Sequence, residues 1–149
     1  MRVHLSLLLV TTAFRFLSAM DVEHTLCGPG IPVVSVSVEP CSRLPCKLAR
    51  GSTTTFQIQF EAEDDIGSFG RAELYLVTWG LAVPFPLDKP EICRSVRPTC
   101  PLQAGVRYTY TKSTSIPKSH PRMDTTLQWK LRSSAGETLL CVEYPVEIA

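Results

Sequence analysis

Six cysteines, Cys27, Cys41, Cys46, Cys93, Cys100 and Cys141, are the residues with the most chemistry to offer in this chain. A thiolate can attack a substrate, ligate zinc or pair as a disulfide, and spacing separates these uses. Cys41 and Cys46 end a CSRLPC segment, Cys93 and Cys100 end CRSVRPTC, and Cys27 and Cys141 bracket both pairs. No histidine stands near either pair at ligand spacing, so a metal site is not expected. Nested close pairs inside a terminus-to-terminus bracket are the pattern of staples on one compact exported domain. Six cysteines allow about 15 pairings and spacing does not choose among them, although local pairing within each close pair is preferred.

With the cysteines oxidised, no thiolate nucleophile remains. His24 and His120, the histidines beyond the N-terminal leader, lie in no nucleophile motif, and no G-x-S-x-G elbow is present. Glu61, Glu63, Asp64 and Asp65 read as a charged turn after a strand and not as an acid–base pair. Lys112, Lys118 and Arg122 read as a solvated basic loop, in preference to a contact for lipid headgroups or a receptor. There is no glycine-rich phosphate loop. The chain is therefore read as a non-enzyme without a cofactor.

The first residues, MRVHLSLLLVTTAFRFLSAM, pair a positive start at Arg2 with a short apolar run from Leu5 to Val10 and small residues at Ser18-Ala19. That is a secretory signal peptide spanning 1–19, cut after Ala19. Arg15 interrupts the run, which falls short of the ~20 residues of a membrane span. The mature domain, 20–149, is exported and soluble. The whole chain has 15 Lys and Arg against 14 Asp and Glu, and loss of Arg2 and Arg15 leaves 13 against 14, a formal charge of −1. Dispersed, near-neutral charge excludes a nucleic-acid partner. The sequence has no asparagine, hence no N-glycosylation sequon.

These residues must be positioned by strands. Val34, Val36 and Val38 alternate with polar residues, as do Phe56, Ile58 and Phe60, then Leu127, Trp129 and Leu131, then the run Leu140, Val142, Tyr144, Val146, Ile148. Ala72, Leu74 and Leu76 begin another such run, and Tyr108 with Tyr110 another. Period-two alternation predicts half-buried antiparallel strands. Residues 79–90 are apolar but carry Pro84, Pro86 and Pro90, so they are not a central strand throughout. Turn signals separate the runs, at Gly28-Pro29-Gly30, Arg50-Gly51-Ser52, Asp64-Asp65-Ile66-Gly67, Gln103-Ala104-Gly105 and Ser133-Ser134-Ala135-Gly136. The expectation is an all-β sandwich of two antiparallel sheets. Cys141 falls on the polar side of the last strand, so a bond from it to Cys27 would pin the N-terminal segment there.

Taken in order, Cys27-Gly28, SVSVEPC, PCKLARG, VPFP, CRSVRPTCPL, the Tyr108–Tyr110 pair, Trp129 and CVEYPVEI resemble the Niemann-Pick type C2 proteins of the ML lipid-recognition family. The resemblance covers the mature chain. It implies an immunoglobulin-like, disulfide-stapled sandwich with an apolar pocket between its sheets, and the bridges Cys27–Cys141, Cys41–Cys46 and Cys93–Cys100. It implies reversible binding of a sterol or another single lipid, without covalent chemistry. By position the gating phenylalanine falls on Phe85, beside Val83 and Pro84. Two further lining positions fall on Ile116 and His120, a deeper tryptophan on Trp129, and a wall position on Tyr110. The family's tyrosine is His120 here, a smaller ring that charges at mildly acidic pH. Its tryptophan after the last cysteine is Val142.

Burial is then the mechanism, since about 25 cal/mol per Å² of apolar surface brings a sterol-sized ligand to sub-micromolar affinity without a charge contact. The leading expectation is a secreted, monomeric sterol carrier in transient contact with membranes or a membrane sterol transporter. Delivery to the lysosomal lumen would need a route independent of N-glycans. The alternatives are a secreted carrier of fatty acids or small hydrophobic signals, and a microbial-glycolipid recognition module in innate immunity.

Overall fold

In chain order the strands of the computed structural model are β1 (Met20–Asp21), β2 (Thr25–Leu26), β3 (Val33–Glu39), β4 (Cys46–Leu48), β5 (Thr53–Glu61), β6 (Phe69–Thr78), β7 (Leu81–Phe85), β8 (Val96–Arg97), β9 (Arg107–Ser115), β10 (Met123–Ser133) and β11 (Thr138–Ile148). The structure describes residues 18–63 and 68–149. All but the end of the predicted leader, and the Asp64-Asp65-Ile66-Gly67 turn, lie outside the described residues.

One sheet has the order β1-β3-β5-β9-β8, and the other β2-β11-β10-β6-β7. All these neighbours pair antiparallel; β4 joins the far edge of β11 as the single parallel pairing among the described residues. The only helical turn described is a 3-10 turn at Ile92–Arg94. The fold is the expected two-sheet sandwich.

The alternating runs supply the interior. Phe56, Ile58 and Phe60 of β5, Leu127, Trp129 and Leu131 of β10, and Leu140, Val142, Tyr144, Val146 and Ile148 of β11 are all buried. Trp129 is wholly buried, and its indole N–H finds the partner burial demands by donating to the Tyr144 hydroxyl at 3.0 Å. One expected inward residue turns out. Val34 is 42% exposed, because the β3–β5 register shifts between Val33 and Ser35, and the extra residue reverses the parity at that end of the strand.

The cysteines pair Cys27–Cys141, Cys41–Cys46 and Cys93–Cys100. Cys141 stands opposite Lys130, on the outer side of its sheet, yet it is buried. The N-terminal segment covers it: Cys27 N–H donates to the Cys141 carbonyl at 3.0 Å and Ile31 N–H to Leu139 at 2.9 Å. Gly30 lies so close that a Cβ there would overlap the Leu139 carbonyl oxygen. The disulfide thus holds a strap of chain along β11.

β7 is the edge of its sheet, which is where a strand containing Pro84 can be accommodated. In the facing sheet, β8 covers β9 only opposite Thr109 and Tyr110. From Thr111 onward that side of β9 has no strand partner among the described residues. Two sheet edges therefore border the same side of the sandwich.

Candidate functional site

Between those two edges the sheets enclose a narrow apolar slit. Leu74 and Leu76 of β6, Phe85 of β7, Leu127 of β10 and Leu48 of β4 line it from one sheet. Phe56 of β5, with Thr114 and Ile116 at the end of β9, lines it from the other. Its free volume is about 10 Å³, roughly what a single water requires. Pockets that hold small-molecule ligands run from about 300 to 1,000 Å³. As it stands the slit is too narrow for a lipid, and Phe85 and Ile116 are the side chains that close it from the two edges.

The deep wall is aromatic. Phe56 packs on Trp129 with ring centroids 5.3 Å apart, and Tyr110 meets Trp129 edge-on at 6.1 Å. Burial pushes the phenol of Tyr110 above its ordinary range, so it stays neutral. The same holds for Tyr144, where burial outweighs the opposing effect of the Trp129 hydrogen bond. The interior behind the slit therefore carries no charge to repel an apolar chain.

Of the residues expected at the site, Phe85 and Ile116 come together across the slit, and Trp129 and Tyr110 stand behind Phe56 as its backing. Val83 is opposite Leu76 but is 51% exposed at the open rim. Pro84 pairs with Tyr75 on the outer face and lines an outer groove of about 380 Å³ with Arg71 and Pro86. His120 is also outside the slit: its Nδ1 lies 2.8 Å from the Pro121 carbonyl. Pro84 is one step along β7 from Phe85 and so faces the other side; His120 lies in the turn after β9, where its N–H donates to the Pro117 carbonyl at 3.0 Å and its own carbonyl accepts from Arg50.

The segment that presents Ile116 is fixed from a distance. Gly51 N–H donates to the Ile116 carbonyl at 2.7 Å. Arg50 Nη1 donates to the carbonyls of Lys118 at 3.0 Å and His120 at 2.8 Å. Gly51 has φ +79° and the Lys118 stem fills the space a side chain would need. Arg50→Ala should lower stability by about 1–3 kcal/mol in thermal denaturation, because it frees two carbonyls and the loop they fix. Sequence reading placed Arg50 and Gly51 in a turn and gave no sign of a bond across more than sixty residues.

Lys112 is the largest departure from the expected arrangement. It belongs to β9, not to a loop, and stands opposite Phe56 between the buried Tyr110 and the slit-lining Thr114. Its Nζ donates to the carbonyls of Asp88 and, at 3.0 Å, of Lys89, in the turn that follows Phe85. The lysine therefore joins the two edges beside the slit. The alternation of Tyr108, Tyr110 and Lys112 was the available signal, a cation at a core parity.

At the other end of β7, Trp79 and Gly80 form the two-residue turn from β6, both with positive φ, 55° and 75°. Such turns favour Asn-Gly, and this chain has no asparagine. A left-handed tryptophan is strained. Trp79 is 100% exposed, and Leu81 and Val83 beside it are also largely exposed.

A wider concavity, about 670 Å³, lies elsewhere, where Val22, His24 and Leu44 meet Thr126 and Glu143. It is an open cleft of mixed polarity, unlike the slit. Glu61, the last residue of β5, pairs with Arg107 at 4.0 Å on the surface, and Asp64 and Asp65 lie outside the described residues. No group of three metal-ligating side chains exists among the described residues. No helix among them is long and apolar enough to cross a membrane.

The model of the ML domain family matches residues 21–148. The bovine NPC intracellular cholesterol transporter 2 is 28% identical over 147 residues, covering 93% of this chain and 97% of that protein. The ecdysteroid-regulated 16 kDa protein of Manduca sexta is 31% identical over 142 residues, with the same shares covered. A crystal structure of a Niemann-Pick type C2 protein from the Japanese carpenter ant superposes with a TM-score of 0.75 at 26% identity, covering 86% of this chain and all of that one.

Proposed function

The chain belongs to the ML-domain family, and from that premise we propose that it is a secreted, monomeric carrier that takes a sterol or another single lipid into the slit between Phe85 and Ile116. The observation that carries this reading is the slit itself, walled by Leu, Phe and Ile, backed by neutral aromatics, and opening between two unpartnered sheet edges. The bovine relative's name, a cholesterol transporter, supports a sterol as ligand. The three disulfides support export, since such bonds persist in oxidising compartments. Seating the ligand by parting Phe85 from Ile116 exchanges contacts within the protein for contacts with lipid. Affinity then follows the ligand's buried apolar area, at about 25 cal/mol per Å² before the association cost.

The test is mass spectrometry of lipids extracted from the natively purified protein, with competition against a fluorescent sterol. Sterol recovered and displaced supports a sterol carrier. Fatty acid recovered without sterol competition moves the reading to the fatty-acid carriers, and recovery of no lipid removes the carrier reading.

Loading and unloading need a lipid surface, and the Trp79–Gly80 hairpin is the part of the carrier suited to touch one. An indole is amphipathic and settles at the membrane–water interface. It projects here with Leu81 and Val83 from the strand that also carries Phe85. Trp79→Asn should raise stability by about 1 kcal/mol, because asparagine adopts the left-handed turn with less strain. The same change should abolish binding to phosphatidylcholine vesicles. The chain has two tryptophans, and Trp129 is fully buried, so a vesicle-induced blue shift in emission reports Trp79. An unchanged spectrum with vesicles would remove the hairpin from the membrane contact.

A further inference from the structure

We infer that Lys112 sets the head-group preference of the slit, selecting single-chain amphiphiles whose head carries a negative charge, a carboxylate being the simplest. The inference rests on the slit being the lipid site. Three observations support it. Lys112 lies on the inward side of β9, directly opposite Phe56, which is itself a wall of the slit. Its ammonium reaches across the gap to the turn that follows Phe85, so it sits where the two edges must part. Its partners there are the neutral carbonyls of Asp88 and Lys89; among the described residues it belongs to no ion pair, and Asp88 offers its carbonyl and not its carboxylate.

An ammonium has three N–H donors and no acceptor. Two are used by the carbonyls, and the third is available to a ligand. A carboxylate is a better partner than a carbonyl, because it adds the attraction of opposite charges to the charge-assisted hydrogen bond that an ammonium makes with either acceptor. An acyl chain between Phe85 and Ile116 would leave its head at the rim, beside this cation. If the edges separate enough to break the bonds to Asp88 and Lys89, a ligand carboxylate replaces what the ammonium loses, whereas a sterol hydroxyl or a fatty alcohol replaces less of it. A purely structural tie between the edges would not need a charge. Lys112→Arg keeps the charge and should keep the preference.

The experiment compares co-elution of radiolabelled oleate, oleyl alcohol and cholesterol with the wild-type protein, Lys112→Met and Lys112→Arg. Oleate and oleyl alcohol share a chain and differ only in the head. The wild type should hold oleate at least about tenfold more tightly than oleyl alcohol. Lys112→Met should lose about tenfold to a hundredfold for oleate, while oleyl alcohol, which no longer has the lysine's bonds to Asp88 and Lys89 to break, should be held as well as by the wild type or more tightly. A wild type that holds oleyl alcohol or cholesterol as well as oleate overturns the head-group role and leaves the carrier reading standing. Equal losses for oleate and oleyl alcohol in Lys112→Met show a structural tie only, which also overturns it. Failure to hold any of the three ligands overturns both. Should Lys112→Met not fold, the wild type decides: its preference for oleate should shrink as salt rises, and a salt-independent preference overturns the inference.

Discussion

Phe85→Ala is expected to weaken lipid binding about tenfold to a hundredfold while the domain stays folded. The side chain forms one wall of the slit from an edge strand, and it is only partly buried. Removing a phenyl ring takes away about 1.5–3 kcal/mol of apolar burial with the ligand in place, and each 1.4 kcal/mol is a factor of ten. The folded state loses less, because the ring already contacts solvent and its strand keeps its pairing to Leu74 through Leu76 and beyond. Ligand titration measures the first effect, and circular dichroism with thermal unfolding measures the second. Binding at wild-type strength would remove Phe85 from the site. Lost binding in a protein that no longer melts cooperatively would assign Phe85 to the core instead.

Replacing Cys27 and Cys141 together by alanine is expected to lower stability by about 5 kcal/mol in the chain-entropy model, since this bridge closes a separation of 114 residues. In a domain of this size that lowers the melting temperature by on the order of 15–20 °C. The Cys41–Cys46 and Cys93–Cys100 bridges span 5 and 7 residues, and removing either should cost about 2 kcal/mol in the same model. The long bridge also fixes the strap over β11, so its loss should expose Leu139 and speed amide exchange at Ile31, whose N–H bonds to Leu139. A double variant that melts within about 1 kcal/mol of wild type would show that the strap holds without its staple.

In the proposed carrier, lipid uptake and stability draw on different parts of the molecule. The inner strands β5, β10 and β11 hold wholly buried aromatic and aliphatic residues, Trp129 among them with its hydrogen bond satisfied. The edges β7 and β9 carry Phe85, Val83 and Lys112, each partly exposed or joined by bonds that can exchange. A carrier that opens at its edges and keeps its centre intact can load repeatedly without unfolding. Arg50 and Gly51 hold Ile116 in place from outside the slit, which in the proposed carrier leaves the separation to β7 and the turn behind it.

The strand pattern was legible because a half-buried strand writes its inner face into every second residue. Phe56, Ile58 and Phe60, or Leu127, Trp129 and Leu131, need no partner to be recognised, and both sets are buried as the alternation requires. The cysteine bracket and the position of Cys141 on an outer face were legible on the same grounds, and the resemblance supplied the pairing that spacing left open. The parity rule fails where the register changes, and Val34 shows this: one extra residue in β3 turned it outward. What lay beyond the sequence was every relation between segments distant along the chain. Which two strands would be left as edges, how narrow the gap between Phe85 and Ile116 would be, and that Pro84 and His120 would stand outside it depend on sheet order and on the path of turns. Lys112 shows both halves. Its inward parity could be counted from Tyr110, but the carbonyls of Asp88 and Lys89 that receive its ammonium belong to the other sheet's edge. Local alternation is set by the geometry of a single strand, whereas the distance between two edges is set by the packing of the whole sandwich, and only the tertiary structure contains it.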